Sequence, residues 1–169
     1  MTTQRKIVDA SEQLAEQRRS VSFDSYDITV KQLISMVTGG EINIAPEYQR
    51  HFVWDDVRQS QLIESIFLGI PVPSLFMATN KDSTWEVVDG LQRITTLLNF
   101  IQPKEILPSI NISDKPLTLR GLEKLTALNG QTYQSLPDTL QLSFVTRPMR
   151  LTVLNDRSDF QVRFDLFER

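Results

Sequence analysis

Apolar residues recur at helical spacing in two blocks of this chain and alternate in strand fashion between them. In "TVKQLISMVT" (29–38), Val30, Leu33, Ile34 and Val37 lie three and four apart, which predicts a helix stopped by Gly39-Gly40. "EINIAPEY" (41–48) alternates like a short strand and is cut off at Pro46. In "WDDVRQSQLIESIFLGIPVP" (54–73), Asp55 suits an N-cap, and Val57, Leu62, Ile63, Ile66 and Phe67 line one helical face. Gly69 followed by Pro71 closes that helix. "SLFMATNKDSTWEVVD" (74–89) predicts two strands joined by a polar turn at Asn80–Ser83, and the helix "LQRITTLLNFI" (91–101) follows directly.

Beyond Pro103 the periodicity fades into an excursion rich in Pro and Gly. Only a small strand at 117–119 and a short helix at 121–128 are predicted there. "DTLQLSFVT" (138–146) then reads as helix and "MRLTVLN" (149–155) as strand. "DRSDFQVRFDLFER" (156–169) opens a helix capped by Asp156, and its Phe160, Phe164 and Phe167 are still in period at Arg169. An apolar face left unfinished at the last residue is expected of a piece of a longer protein. The first 20 residues are polar and form a separate extension, so the domain is expected over 21–169.

Composition narrows the chemistry. With 169 residues, 40% hydrophobic and 23% charged, the chain has the make-up of one globular domain. It contains no cysteine and one histidine, His51, so disulfides, thiolate metal sites and His-rich zinc sites are excluded. No stretch approaches the roughly 18 apolar residues of a membrane span, and the N-terminus lacks the apolar core of a signal peptide. A cytoplasmic location is expected. The net charge of −3 argues against a simple non-specific DNA binder, which draws its affinity from neutralising phosphates. GxxxxGK[ST], GxGxxG and HExxH are all absent.

Two clusters carry candidate chemistry. In "WEVVDGLQRITTLL" (85–98), a strand gives way to a helix across Asp89, Gly90, Gln92 and Arg93. Glycine turns the backbone without Cβ strain, and the N–H groups and dipole of the helix start favour an anion. Arg93 could fork two phosphate oxygens, Asp89 could orient Arg93, bind a divalent cation or position a water, and Thr95 and Thr96 add hydroxyls one turn on. On spacing alone, a plain N-cap, a turn and a solvated arginine explain the same residues equally well. In "PEYQRHFVWDD" (46–56), Gln49, Arg50 and His51 stand beside Trp54; a surface loop pinned by Phe52 and Trp54, with a structural His51, is the simpler account. The charges of "RFDLFER" (163–169) read as a solvated helix face.

Taken in order, "YQRHFVW", "LIESIFLGIPVPSLFM" and "WEVVDGLQRITTLL" resemble the N-terminal, S-type domain of GmrSD restriction systems, a family with a DGQQR or DGLQR signature. The terminal "FDLFER" resembles the start of that family's FERLN segment. The resemblance implies a ParB/sulfiredoxin-like α+β fold, a small mixed sheet with helices around it, whose signature turn is the phosphate site of a nucleotide pocket. Carried over position by position, it makes Asp89, Gln92 and Arg93 catalytic, and Gln49, Arg50, Gly90, Arg93 and Thr95 nucleotide-binding, with Asp89 on a metal and Arg169 as a weaker candidate. The implied cofactors are GTP or ATP with Mg2+. The implied partners are DNA, including modified DNA, and an HNH-type nuclease domain, C-terminal or separate; a homo-oligomer is also admitted. The implied function is nucleoside-triphosphate binding and hydrolysis that controls DNA cleavage in defence against foreign DNA. A nucleotide-gated DNA-binding or docking module without turnover is the alternative, and a metal-dependent nuclease centred on Asp89 is a third reading. Under the first, Arg93→Ala is expected to abolish nucleotide binding and leave the fold intact.

Overall fold

The chain's structure is a computed structural model in which residues 3–19, 21–44, 52–106 and 110–155 are described. The N-terminal extension forms helix α1 (Thr3–Arg19), whose Ile7, Val8 and Leu14 are exposed. The domain itself follows as β1 (Phe23–Thr29), α2 (Val30–Thr38), β2 (Ile42–Asn43), α3 (Asp56–Leu68), β3 (Leu75–Thr79), β4 (Trp85–Asp89), α4 (Leu91–Ile101), α5 (Asp138–Val145) and β5 (Pro148–Leu154). This is the expected α+β class. Among the described residues, no helix is long and apolar enough to cross a membrane.

Local signals set the helix limits. The Thr29 hydroxyl accepts the N–H of Gln32 at 3.1 Å, and Asp55 accepts that of Arg58 at 2.8 Å, so both helices start on side-chain caps. α3 ends at Gly69, whose φ of 71° closes the helix in the left-handed conformation. Asn80–Ser83 make the β3–β4 turn, tightened by Asp82, which accepts from the backbone and hydroxyl of Thr84.

The five strands form one mixed sheet in the order β1-β5-β3-β4-β2. β1 runs antiparallel to β5, β5 parallel to β3, β3 antiparallel to β4, and β4 parallel to β2. Leu75, Met77, Val87, Met149, Leu151 and Val153 are buried at alternate strand positions and join one apolar core with α2, α3, α4 and α5. Phe100 and Phe144, both fully buried, meet edge to face with centroids 5.2 Å apart in its interior.

The structure departs from the pattern reading in three places. β1, "FDSYDIT", was not predicted, because an exposed edge strand needs no apolar alternation; its pairing with all seven residues of β5 makes it a strand. The small strand expected at 117–119 is absent, and the helix expected at 121–128 shrinks to a 3-10 turn at Thr126–Leu128. Leu117 and Leu119 are instead core anchors of an irregular segment. The predicted helix at 156–169 and the second half of "EINIAPEY" lie outside the described residues, and in its first half Ile42–Asn43 form the short strand β2.

Candidate functional site

β4 ends at Asp89 and α4 begins at Leu91, so one residue makes the whole turn. Gly90 has φ 110°, and a Cβ there would collide with the side chain of Leu75. The glycine is therefore required by backbone conformation and by packing, whatever binds nearby. As the N-cap residue of α4, Gly90 has no side chain with which to cap it.

Arg93, on the first turn of α4, folds back beneath this corner. Its Nη1 donates to the carbonyl of Ser74 at 3.2 Å and to that of Pro73, and its Nη2 donates to Asp89 Oδ2 at 3.4 Å. The Arg93 side chain is 10% exposed and that of Asp89 69%. Burial lowers the pKa of the guanidinium and the nearby Asp89 carboxylate raises it, with a net shift downward. Gln92 points the other way: its Oε1 accepts the backbone N–H groups of Val53 and Trp54 at 3.3 and 3.4 Å. The signature residues thus tie three segments, 53–54, 73–74 and 89–93, into one corner at the end of β4.

A second polar layer runs down α4 from Gln92. Thr95 and Asn99 continue that face at three- and four-residue steps. Asn99 donates through Nδ2 to Gln59 Oε1 at 3.2 Å and accepts the Ser113 N–H at 3.1 Å, and Gln59 Nε2 donates to the Trp54 carbonyl at 3.2 Å. Farther along α3, Ser60 Oγ accepts the Arg120 N–H, and Glu64 Oε1 accepts those of Lys124 and Leu125 at 2.8 and 2.7 Å. The buried polar side chains of α3 and α4 therefore hold the excursion in place as the outer wall of a crevice of about 550 Å³. Phe52, Gln59, Thr95, Asn99, Lys115 and Arg120 are among its lining residues.

The excursion had no assigned chemistry in the sequence, and Gln59, Ser60, Glu64 and Asn99 went unnoticed. A signal existed. Gln59 stands four and seven residues before Ile63 and Ile66, on the helix's apolar face, and Asn99 interrupts the run Leu97, Leu98, Phe100. A polar residue at a core position announces a buried partner.

Glu64 yields a pH prediction. Burial raises its pKa, but the N–H groups of Leu125, Lys124 and Glu123 outweigh that and leave it below the ordinary carboxylate value. A carboxylate depressed in the folded state stabilises above its unfolded pKa and loses that contribution as pH falls through the folded value. Stability should therefore decline from about pH 5 downward. Glu64→Gln should flatten that decline and cost about 1–2 kcal/mol at pH 7; urea melts from pH 7 to 3.5 check both.

Of the residues singled out in the sequence, Asp89, Gly90, Gln92, Arg93 and Thr95 stand on one corner and its helix. Asp89 faces solvent, Gln92 and Arg93 spend side-chain hydrogen bonds on backbone, and Thr95 is buried at 3% exposure. Gln49, Arg50, His51 and Arg169 lie outside the described residues. Among the described residues, no three His, Asp or Glu side chains come together as a metal site. No curated protein and no solved structure matches the chain. The family model described as the GmrSD restriction endonuclease N-terminal domain matches residues 30–169, which takes in α2 through β5 and the whole corner. The chain belongs to that family and so to a DNA restriction system.

Proposed function

We propose that this domain binds a nucleoside triphosphate with Mg2+ at the β4–α4 corner, hydrolyses it, and through it regulates DNA cleavage carried by another domain or partner. The observation that carries this reading is the start of α4. It opens directly off a strand end, on a glycine, without the side-chain cap that Thr29 and Asp55 provide to α2 and α3. Helix-start N–H groups and the helix dipole suit phosphate oxygens.

Asp89, an exposed carboxylate beside that start, fits a magnesium ion, which takes one or two protein carboxylates and fills its shell with phosphate oxygens and water. Mg2+ would supply charge neutralisation to the phosphates. Gln92 and Arg93 enter mainly as positioning residues: Gln92 fixes 53–54 beside the corner, and Arg93 braces it from beneath. A phosphate contact by Arg93 requires exchange of its carbonyl partners. GTP and ATP are both admitted. The nuclease is assigned elsewhere because a chain with one histidine cannot build an HNH centre.

Calorimetry on the full-length protein, with GTP and ATP and with or without Mg2+, tests this reading alongside phosphate release. Asp89→Asn is expected to weaken magnesium-dependent binding at least tenfold. Its melting should change little, because the Asp89 carboxylate is solvent-exposed, its contact with Arg93 is long at 3.4 Å, and an asparagine keeps an acceptor oxygen there. No binding of either triphosphate, or an Asp89→Asn variant that binds like wild type, would overturn it. Binding without phosphate release would leave a nucleotide-gated module without turnover.

A further inference from the structure

Thr95 is 3% exposed and its Oγ has no hydrogen-bond partner among the described residues. Other helical hydroxyls in this domain behave differently. Thr38, Ser60, Thr96 and Thr146 each donate to the carbonyl four residues back, at 2.6 to 3.0 Å. A buried hydroxyl without a partner carries a desolvation penalty that a bound polar group would remove.

Thr95 lines the 550 Å³ crevice between α3, α4 and the excursion, a volume within the range of small-ligand sites. Its floor holds two buried amides, Gln59 at 4% and Asn99 at 6% exposure. Their mutual bond and their bonds to Trp54 and Ser113 fix which edge of each is donor and which acceptor. Phe52 contributes an aromatic wall. Lys115 is exposed in the lining, and Arg120 is paired with Asp56 at 3.5 Å, so the charge is mixed rather than strongly cationic. Fixed amides, a hydroxyl and an aromatic ring suit a planar heterocycle with donors and acceptors along its edge.

The crevice begins about one turn along α4 from the corner. Gln92, Thr95 and Asn99 share a face of α4, and Thr95 lies about 6 Å along the axis from Leu91. Phe52 adjoins the Val53–Trp54 backbone that Gln92 holds.

We infer that this crevice receives the nucleobase of the bound nucleotide and sets its base preference, with Thr95 and Phe52 as specificity-determining residues. The inference rests on the triphosphate reading of the corner, and the following experiment separates the two. Full-length wild type, Thr95→Val and Phe52→Ala are titrated with ATP, GTP, CTP and UTP, with the corresponding nucleosides, and with inorganic tripolyphosphate, all with Mg2+. Wild type should prefer one base. Thr95→Val should weaken the preferred triphosphate about fivefold, and Phe52→Ala about tenfold, and both should leave tripolyphosphate unchanged. Thr95→Val should melt at or above the wild-type temperature, since no internal hydrogen bond is lost. Equal affinity for all four bases, or variants that affect triphosphates and tripolyphosphate alike, would overturn the crevice and leave the phosphate site standing. Nucleosides bound in a Thr95-dependent way without any phosphate affinity would uphold the crevice and remove the phosphate site. If nothing binds, both fall.

Discussion

Gly90→Val destabilises the domain by about 3 kcal/mol, an effect visible as a lowered urea midpoint with an unchanged slope. Two costs add. A β-branched residue at φ 110° pays about 1–3 kcal/mol for backbone conformation. Its Cβ also enters the space of the fully buried Leu75, and overpacking a core costs about 1–3 kcal/mol. Leu75 offers no easy escape, because it sits on β3 between β4 and β5, in register with Leu151. Gly90→Ala should show the same sign at smaller size. A Gly90→Val protein as stable as wild type would show that the corner relaxes freely. The glycine would then have to be explained by a ligand alone.

Arg93→Ala is the second large effect, a loss of about 2–3 kcal/mol of folding stability. Hydrogen bonds from a charged donor contribute about 1.5–3 kcal/mol when buried, and Arg93 makes them to two carbonyls of the loop that leads into β3. The phenotype expected from sequence, lost binding with an intact fold, is therefore replaced by lost stability first. Arg93→Lys should recover only part of it, since an ammonium group cannot span Pro73, Ser74 and Asp89 as a planar fork does. Asp89→Asn provides the internal comparison. If the Asp89–Arg93 ion pair were the main stabiliser, both substitutions would cost alike. If the carbonyl staple is, Arg93→Ala costs far more. Urea melts of the two variants decide between them, and a loss below 1 kcal/mol for Arg93→Ala would discard the staple.

These two expectations change the meaning of the signature. Asp-Gly-Leu-Gln-Arg looks like a phosphate cradle when written as a line of side chains. Folded, Gly90 answers to Leu75, Gln92 to the backbone of 53–54, and Arg93 to the backbone of 73–74. The proposed ligand would use what remains: the helix start, the exposed Asp89 carboxylate and, one turn on, the face that carries Thr95. The motif's main work is to assemble a corner, and binding is proposed to use what the corner presents.

Much of this domain was determined by its sequence alone. Val30, Leu33, Ile34 and Val37 are spaced for a helix and nothing else, and they bury one face of α2. Asp55 and Gly69 mark the ends of α3 because their side chain and φ meet needs of the helix itself. The turn at Asn80–Ser83 is also local, set by a few residues whose conformations depend on their immediate neighbours, and so is the positive φ that marks Gly90 as the step from β4 into α4. What the tertiary structure decided is everything that depends on a distant partner. β1 is a strand because β5, more than a hundred residues away, supplies its hydrogen bonds. Gln59, Ser60 and Glu64 are buried because the excursion brings backbone N–H groups and Asn99 faces it at the helix crossing. Arg93 is a staple rather than a free cation because the chain returns at Pro73 and Ser74 beneath α4. Periodicity records which side of an element is apolar; it holds no record of which carbonyl will arrive there, because that hydrogen bond exists only after the segments meet.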